Sequence, residues 1–234
     1  MDPLIENIVL NESENFPVFR NLWDFFAAKG NKVNFVSFGT SCSPMVELHL
    51  SENLGCKVFL FDENQESCQK WNEVKDLLKT RKLSETTSNF AKGAIRKWVL
   101  PQNIVVRNEF PSFGTLKSII SGLNENNRID VLKVDCSETK TAELLYSVLH
   151  NGYRPGILMI HWESSPDSNL PATLLAGHLQ NLGYGLVSKS KQNYLYYFTD
   201  KNLYEMCSWE ITEVQNPLLS KLFESFQMKN EGKE

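Results

Sequence analysis

The chain has 234 residues, 41% of them hydrophobic, and a formal net charge of −4. That is enough apolar material for one full core, and the usual size range favours one domain over two. So mild a charge implies neither a nucleic-acid partner nor a membrane surface from bulk electrostatics, although local patches stay open.

Five cysteines (Cys42, Cys56, Cys68, Cys136 and Cys207) include no C-x-x-C pair. This argues against a disulfide framework or a zinc knuckle and for reduced thiols. The amino terminus, "MDPLIENIVLNESENF", has no positive region followed by an apolar stretch, and no run approaches membrane-spanning length. The expectation is a soluble cytoplasmic protein with no membrane partner.

In chain order, "FPVFRNLWDFFAAKG" reads as an amphipathic helix closed by Gly30, so residues 1–30 are expected to be a helical extension of a single domain covering residues 1–227. "KVNFVSFG" reads as a strand ending at Gly39, and a helix follows with Ser43 as N-cap and Pro44 in its first turn. "CKVFLFDEN" is a second strand, entering a helix from about Gln65 to Arg81. Between residues 82 and 112, "TTSNFAKGAI" and "NIVVRNEF" can each supply a short strand. "FGTLKSIISGLNE" is then a helix.

In "RIDVLKVDCSETKTAELL", Val131, Leu132 and Val134 are strand formers, and Ala142, Leu145, Val148 and Leu149 follow at helical spacing. "GILMIHW" is a strand, "LPATLLAGHLQNLGY" a helix, and "GLVSKS" with "NYLYYFTD" a closing pair. "PLLSKLFESF" has helical periodicity and should pack on the domain or on a second copy of the chain, as a homodimer, ahead of a polar tail at residues 228–234. Strands alternating with helices predict a mostly parallel α/β sheet with an antiparallel hairpin at one edge.

In such a sheet ligands sit at the carboxyl ends of the strands. Gly39 allows a tight turn there, and with Ser41 and Ser43 it opens onto a helix amino terminus suited to a carboxylate, phosphate or ribose. The same "GTSCS" also resembles a nucleophile elbow with Ser41 as nucleophile, but an elbow after the first recognisable strand is out of place. Asp62, 23 positions after Gly39 at the next strand tip, is placed to accept hydrogen bonds from two ribose hydroxyls, with Glu63 as the fallback. Asp135 ends a strand whose middle carries Lys133, a residue that calls for a carboxylate partner or for an amine at the rim.

His161 and Glu163 fall at the tip of the following strand, two apart and so on one side, where an imidazole and a carboxylate can converge with Asp135. These groups could orient a base, hydrogen-bond a polyol or bind a cation; no metal is assigned. The basic stretch "KTRKLSETTSNFAKGAIRKWVLPQNIVVR", with Trp98 among its cations, reads first as a solvated face and second as an attraction for an anionic substrate or nucleic acid.

"IDVLKVDCSE", with the "TLKSII" lead-in, "MIHWE", "LGY" and "NYLYYF", resembles the carboxyl half of S-adenosylmethionine-dependent methyltransferases of the FkbM type. "VFLFDEN" and "VSFGTSCS" are similar to that family's second-strand tip and first glycine loop. The resemblance covers roughly residues 33–200. It implies a Rossmann-like class I methyltransferase sandwich with a mostly parallel seven-stranded sheet.

It also implies S-adenosyl-L-methionine as cofactor, held by Phe38, Gly39, Ser41, Ser43, Asp62 and Asp135. Methyl transfer would go to an oxygen of a sugar or other polar small molecule, with Asp135, His161 and Glu163 as catalytic groups. The chain departs from the pattern where Ser37 replaces the first-strand acid, Ser43 the last loop glycine, and Ser137-Glu138 the E-G pair. Those losses imply the competing reading, an inactive methyltransferase-like binding module.

Overall fold

The computed structural model describes residues 5–11, 14–19, 33–39, 43–112, 114–123, 128–162 and 170–198. Ser41, Glu163, the "PLLSKLFESF" helix and the polar tail at 228–234 lie outside the described residues. Seven strands form one sheet: β3 (Asn34–Phe38), β4 (Lys57–Phe61), β5 (Ile104–Arg107), β6 (Val131–Val134), β7 (Ile157–His161), β8 (Tyr184–Ser190) and β9 (Asn193–Phe198). Their order across the sheet is β5-β4-β3-β6-β7-β9-β8. The first five are parallel, β9 runs antiparallel to β7, and β8 closes the edge against β9. This is a Rossmann-like α/β sandwich with a mostly parallel seven-stranded sheet, and the expected antiparallel edge hairpin is present.

The central strands are continuous apolar runs, because a parallel sheet is covered on both faces. Phe35, Val36 and Phe38 in β3, and Val131, Leu132 and Val134 in β6, are fully buried. Crossovers are carried by α1 (Met45–Leu54), α2 (Gln65–Thr80), α5 (Glu138–His150) and α6 (Leu170–Asn181), with short helices α3 (Asn89–Lys92) and α4 (Leu116–Ser121) between them. From β3 the chain works outward through β4 to β5, then returns to the other side of β3 for β6. That reversal opens a crevice at the carboxyl ends of β3 and β6. None of the described helices is long and apolar enough to cross a membrane.

Three local expectations need correcting. "TTSNFAKGAI" is not a strand: Ser88 caps α3 by accepting from the Ala91 amide, and the chain continues into a 3-10 turn at Gly93–Arg96. α1 begins at Met45, one residue later than expected. Pro44 stands at its N-cap and Ser43 Oγ lies 3.4 Å from the Met45 amide, at the outer limit of a hydrogen bond.

The third concerns the amino terminus. The helix expected from Phe16 onward is strand as far as Phe19. β1 (Ile5–Asn11) and β2 (Glu14–Phe19) form an antiparallel pair separate from the main sheet. Pairing with β1 and packing on the main sheet decide this, since Phe16, Pro17, Val18 and Phe19 are all buried, and Pro17 is tolerated because a two-stranded ribbon has only edges. Phe19 packs edge-on against Tyr197 of β9 at 6.0 Å. Glu6 Oε1 lies 3.0 Å from His49 Nε2 on α1, so the hairpin is tied both to β9 and to α1.

Phe16 is wholly buried in the common core, so Phe16→Ala should cost about 3–5 kcal/mol and lower the melting temperature of the whole domain in one transition. A hairpin that were a mere appendage would leave the main unfolding transition unmoved.

Candidate functional site

At the carboxyl edge each strand tip is tied to its neighbour one residue past the sheet. Gly39 N–H donates to the Phe61 carbonyl (2.9 Å), Asp135 N–H to the Phe38 carbonyl (2.9 Å) and Asp62 N–H to the Arg107 carbonyl (3.1 Å). Gly39 has φ +76, and a Cβ added there would stand 2.0 Å from the Asp135 carbonyl oxygen and 2.7 Å from Cys136 Sγ. Only glycine allows this approach of the two tips.

Just below the tips lies a buried ionic cluster. Ser37 and Lys133 are partners in the β3–β6 register. Ser37 Oγ donates to Glu47 Oε1 of α1 at 2.9 Å, and Lys133 Nζ reaches the same oxygen at 2.9 Å and Asp135 Oδ2 at 3.0 Å. Lys133 and Glu47 are fully buried, whereas the Asp135 side chain keeps 14% exposure at the rim. Burial pulls the lysine pKa down, and the carboxylates of Asp135 and Glu47 more than offset it, so the net shift is upward and the amine stays charged. Glu47 Oε2 is buried without a hydrogen-bond partner. Of the three charged side chains only Asp135 reaches the rim of the crevice.

Asp62 sits at the β4 tip as expected, but Oδ1 already accepts from the Asn64 amide at 2.8 Å, in a turn that leads into the N-cap of α2. Next to it, Glu63 is paired with Lys140 of α5, whose amine lies over the Phe110 ring at 5.5 Å. These groups border a cavity of about 460 Å³ whose lining includes Phe110, Pro111, Leu144 and Tyr146. Phe38 is wholly buried, stacked between Phe61 (5.2 Å) and Phe110 (6.0 Å), so its ring supports the cavity from beneath and does not line the crevice. Ser43 is buried behind the first turn of α1.

His161 ends β7, one residue beyond the Val134–Ile160 pair and so beside Asp135. Its Nδ1 lies 2.8 Å from Asn193 Oδ1, while Asn193 Nδ2 donates to the Asn15 carbonyl at 3.0 Å. The second bond orients the amide so that Asn193 Oδ1 faces the ring and accepts from Nδ1.

Burial first, then the Asp135 charge, pushes the Cys136 thiol up to about 12, which excludes a thiolate nucleophile at neutral pH. Among the described residues no group of three or more His, Cys, Asp or Glu side chains could hold a metal ion. Glu47, Phe110 and Lys140 were not singled out in the sequence. Glu47 left a signal: an acid flanked by Val46 and Leu48 in "MVELHL" answers the partner that Lys133 requires.

No protein-family model matches the sequence, and no curated protein matches it. Among solved structures, the apo TDP-rhamnose 3′-O-methyltransferase of calicheamicin biosynthesis is similar over 76% of this chain and 78% of its own, at 12% identity and a TM-score of 0.47. An O-methyltransferase from Bacillus cereus, in complex with S-adenosylhomocysteine, is similar over 80% and 83% of the two chains at 12% identity and 0.44. The fibrillarin pre-rRNA processing protein of Methanococcus jannaschii gives 82%, 80%, 12% and 0.44. At these identities the likeness concerns the fold alone.

The Lys133→Met variant would leave the Glu47 carboxylate buried and uncompensated. Urea denaturation should show a loss of about 3–5 kcal/mol, and adding Glu47→Gln should restore at least about half of it, since the amide still accepts from Ser37. Additive losses in the double variant would mean the pair is not coupled.

Proposed function

We propose that this chain binds S-adenosyl-L-methionine and transfers its methyl group to a hydroxyl oxygen of a sugar or other polar small molecule. The observation that carries the reading is the Ser37–Glu47–Lys133–Asp135 cluster at the switch point, which holds the Asp135 side chain at the rim, where it can meet a cationic ligand group. The donor set fits the rest of such a ligand. Asp62 at the β4 tip offers a carboxylate to ribose hydroxyls, and the adjoining cavity, with Phe110, Pro111 and Leu144 in its wall, offers apolar faces to a base. Asp135 and the Gly39 turn would hold the amino-acid end.

When bound, the cofactor supplies an electrophilic methyl on a sulfonium, so the protein's task is positioning and proton removal. His161, oriented by Asn193 at the β7 tip beside Asp135, is the imidazole placed to take the acceptor's hydroxyl proton. Asp135, held by Lys133, stays aimed along the crevice and can accept a hydrogen bond from a polyol. Glu163 stays in the proposal as a second acid near the acceptor, on its sequence position alone.

The binding-only reading retains one specific observation. Ser37 is buried and committed to Glu47, so the first-strand acid of the resembled pattern has no equivalent at that position. Calorimetry separates the two readings. Parent protein should bind S-adenosylmethionine or S-adenosylhomocysteine, and Asp62→Asn should weaken binding at least about tenfold, roughly 1.4 kcal/mol.

Asparagine is the informative change, because its side-chain oxygen preserves the turn to Asn64 that alanine would break. Glu63→Ala should do much less, since that side chain is exposed and paired with Lys140. No binding at millimolar cofactor would sink the enzyme reading; equal binding by parent and Asp62→Asn would sink the ribose assignment.

A further inference from the structure

The charge of the chain is unevenly distributed. Residues 79–100 hold six of its 24 basic side chains (Lys79, Arg81, Lys82, Lys92, Arg96 and Lys97) and one of its 28 acidic ones, Glu85. The rest of the molecule is correspondingly more acidic than the net charge of −4 suggests. The segment runs from the end of α2 through α3 and its 3-10 turn toward β5, and its two ends, Arg81 at the C-cap of α2 and Lys97–Trp98 against Glu52 near the end of α1, lie at the amino-terminal edge of the parallel strands, opposite Asp62 and Asp135.

Within it Trp98 is 82% exposed, unusual for the largest apolar side chain. It is also held rigidly. Glu52 of α1 accepts from the Trp98 backbone amide at 2.8 Å and pairs with Lys97 at 3.0 Å. The Arg81 guanidinium lies over the indole, 5.0 Å from its centroid. Arg81 is itself fixed: its guanidinium donates to the Ile95 and Lys97 carbonyls, and its backbone takes the left-handed conformation at the C-cap of α2. Lys79, Lys82 and Arg96 make no ion pair among the described residues.

A preorganised ring beside uncommitted cations is the combination that binds unpaired bases and their phosphates. We propose that this face binds single-stranded nucleic acid, a base stacking on the Trp98 indole and flanking phosphates meeting Lys79, Lys82 and Arg96. A membrane surface fits less well. Trp98 lies between a 3-10 turn and Pro101 and not on an amphipathic helix, and the acidic Glu52 stands directly behind its backbone. The inference does not depend on the cofactor reading, because the two sites occupy opposite edges of the sheet.

The test is fluorescence anisotropy of a labelled twelve-nucleotide oligouridylate with the full chain. Binding at about 50 mM salt should weaken as salt rises, with a log–log slope of about −1.4 to −2.1, corresponding to two or three phosphates. Trp98→Ala should weaken it at least tenfold while melting like the parent, and the Lys82→Glu, Arg96→Glu double variant should weaken it similarly and flatten the slope. A duplex of the same length should bind at least tenfold less tightly. The proposal is overturned if the oligonucleotide does not bind, if Trp98→Ala binds like the parent, or if the duplex binds equally well. Trp98-dependent binding to vesicles containing phosphatidylserine, without binding to the oligonucleotide, would assign the face to a membrane instead.

Discussion

A lysine buried in the middle of a central parallel strand sets the terms for the rest of this structure. An ammonium in that position costs several kcal/mol unless it is paired and fully hydrogen-bonded. Lys133 meets the requirement with carboxylates from two directions, Glu47 from the covering helix and Asp135 from its own strand tip. Ser37, its register partner on β3, completes the arrangement by donating to the same Glu47 oxygen. One charge therefore ties α1, β3 and β6 together, and it does so directly beneath the crevice. Replacing the cluster with apolar residues could make the fold as stable, so stability alone does not account for it. What apolar residues could not supply is a rim carboxylate held in one orientation by a buried amine.

The close approach of the β3 and β6 tips follows the same logic. Gly39 has no Cβ because the Asp135 carbonyl occupies the space one would need. The first turn is thus shaped by β6 as much as by any ligand, which explains how a loop lacking the further glycines of a dinucleotide fingerprint can still place Gly39 and Asp135 side by side. Phe38 gives the floor in a similar way, through its stack with Phe61 and Phe110.

The sheet was legible in the sequence because buried parallel strands are runs of β-branched and aromatic residues and helices repeat at 3.6. The pairing of 34–38 with 131–134 and the closing hairpin both follow from that alternation. The amino-terminal hairpin was not legible, because "FPVF" satisfies helical and strand periods over so short a span and only contact with β9 decides between them. At the site, Asp62, Asp135 and His161 were found at strand tips, where position alone marks a candidate. Glu47 was missed because a helix acid acquires meaning only when tertiary packing brings it to Lys133, 86 positions away in the sequence. The burial of the Phe38 ring was not legible for a related reason: adjacency in sequence to the loop says nothing about which face of the sheet the ring takes.

The misread hairpin also bears on the chemistry. His161 can act as a base at Nε2 only while Nδ1 keeps its proton, and Asn193 Oδ1 secures that proton. Asn193 in turn is oriented by donating to the Asn15 carbonyl, a backbone group of β2. A residue outside the seven-stranded sheet thereby selects the tautomer of a residue at its centre. If β2 withdrew, the Asn193 amide would lose its bond to the Asn15 carbonyl, one of the contacts that turn its oxygen toward the ring. The hairpin is thus a part of the site's proton chemistry as well as of the core, and its two attachments, Phe16 in the core and Asn15 at Asn193, serve those two ends separately.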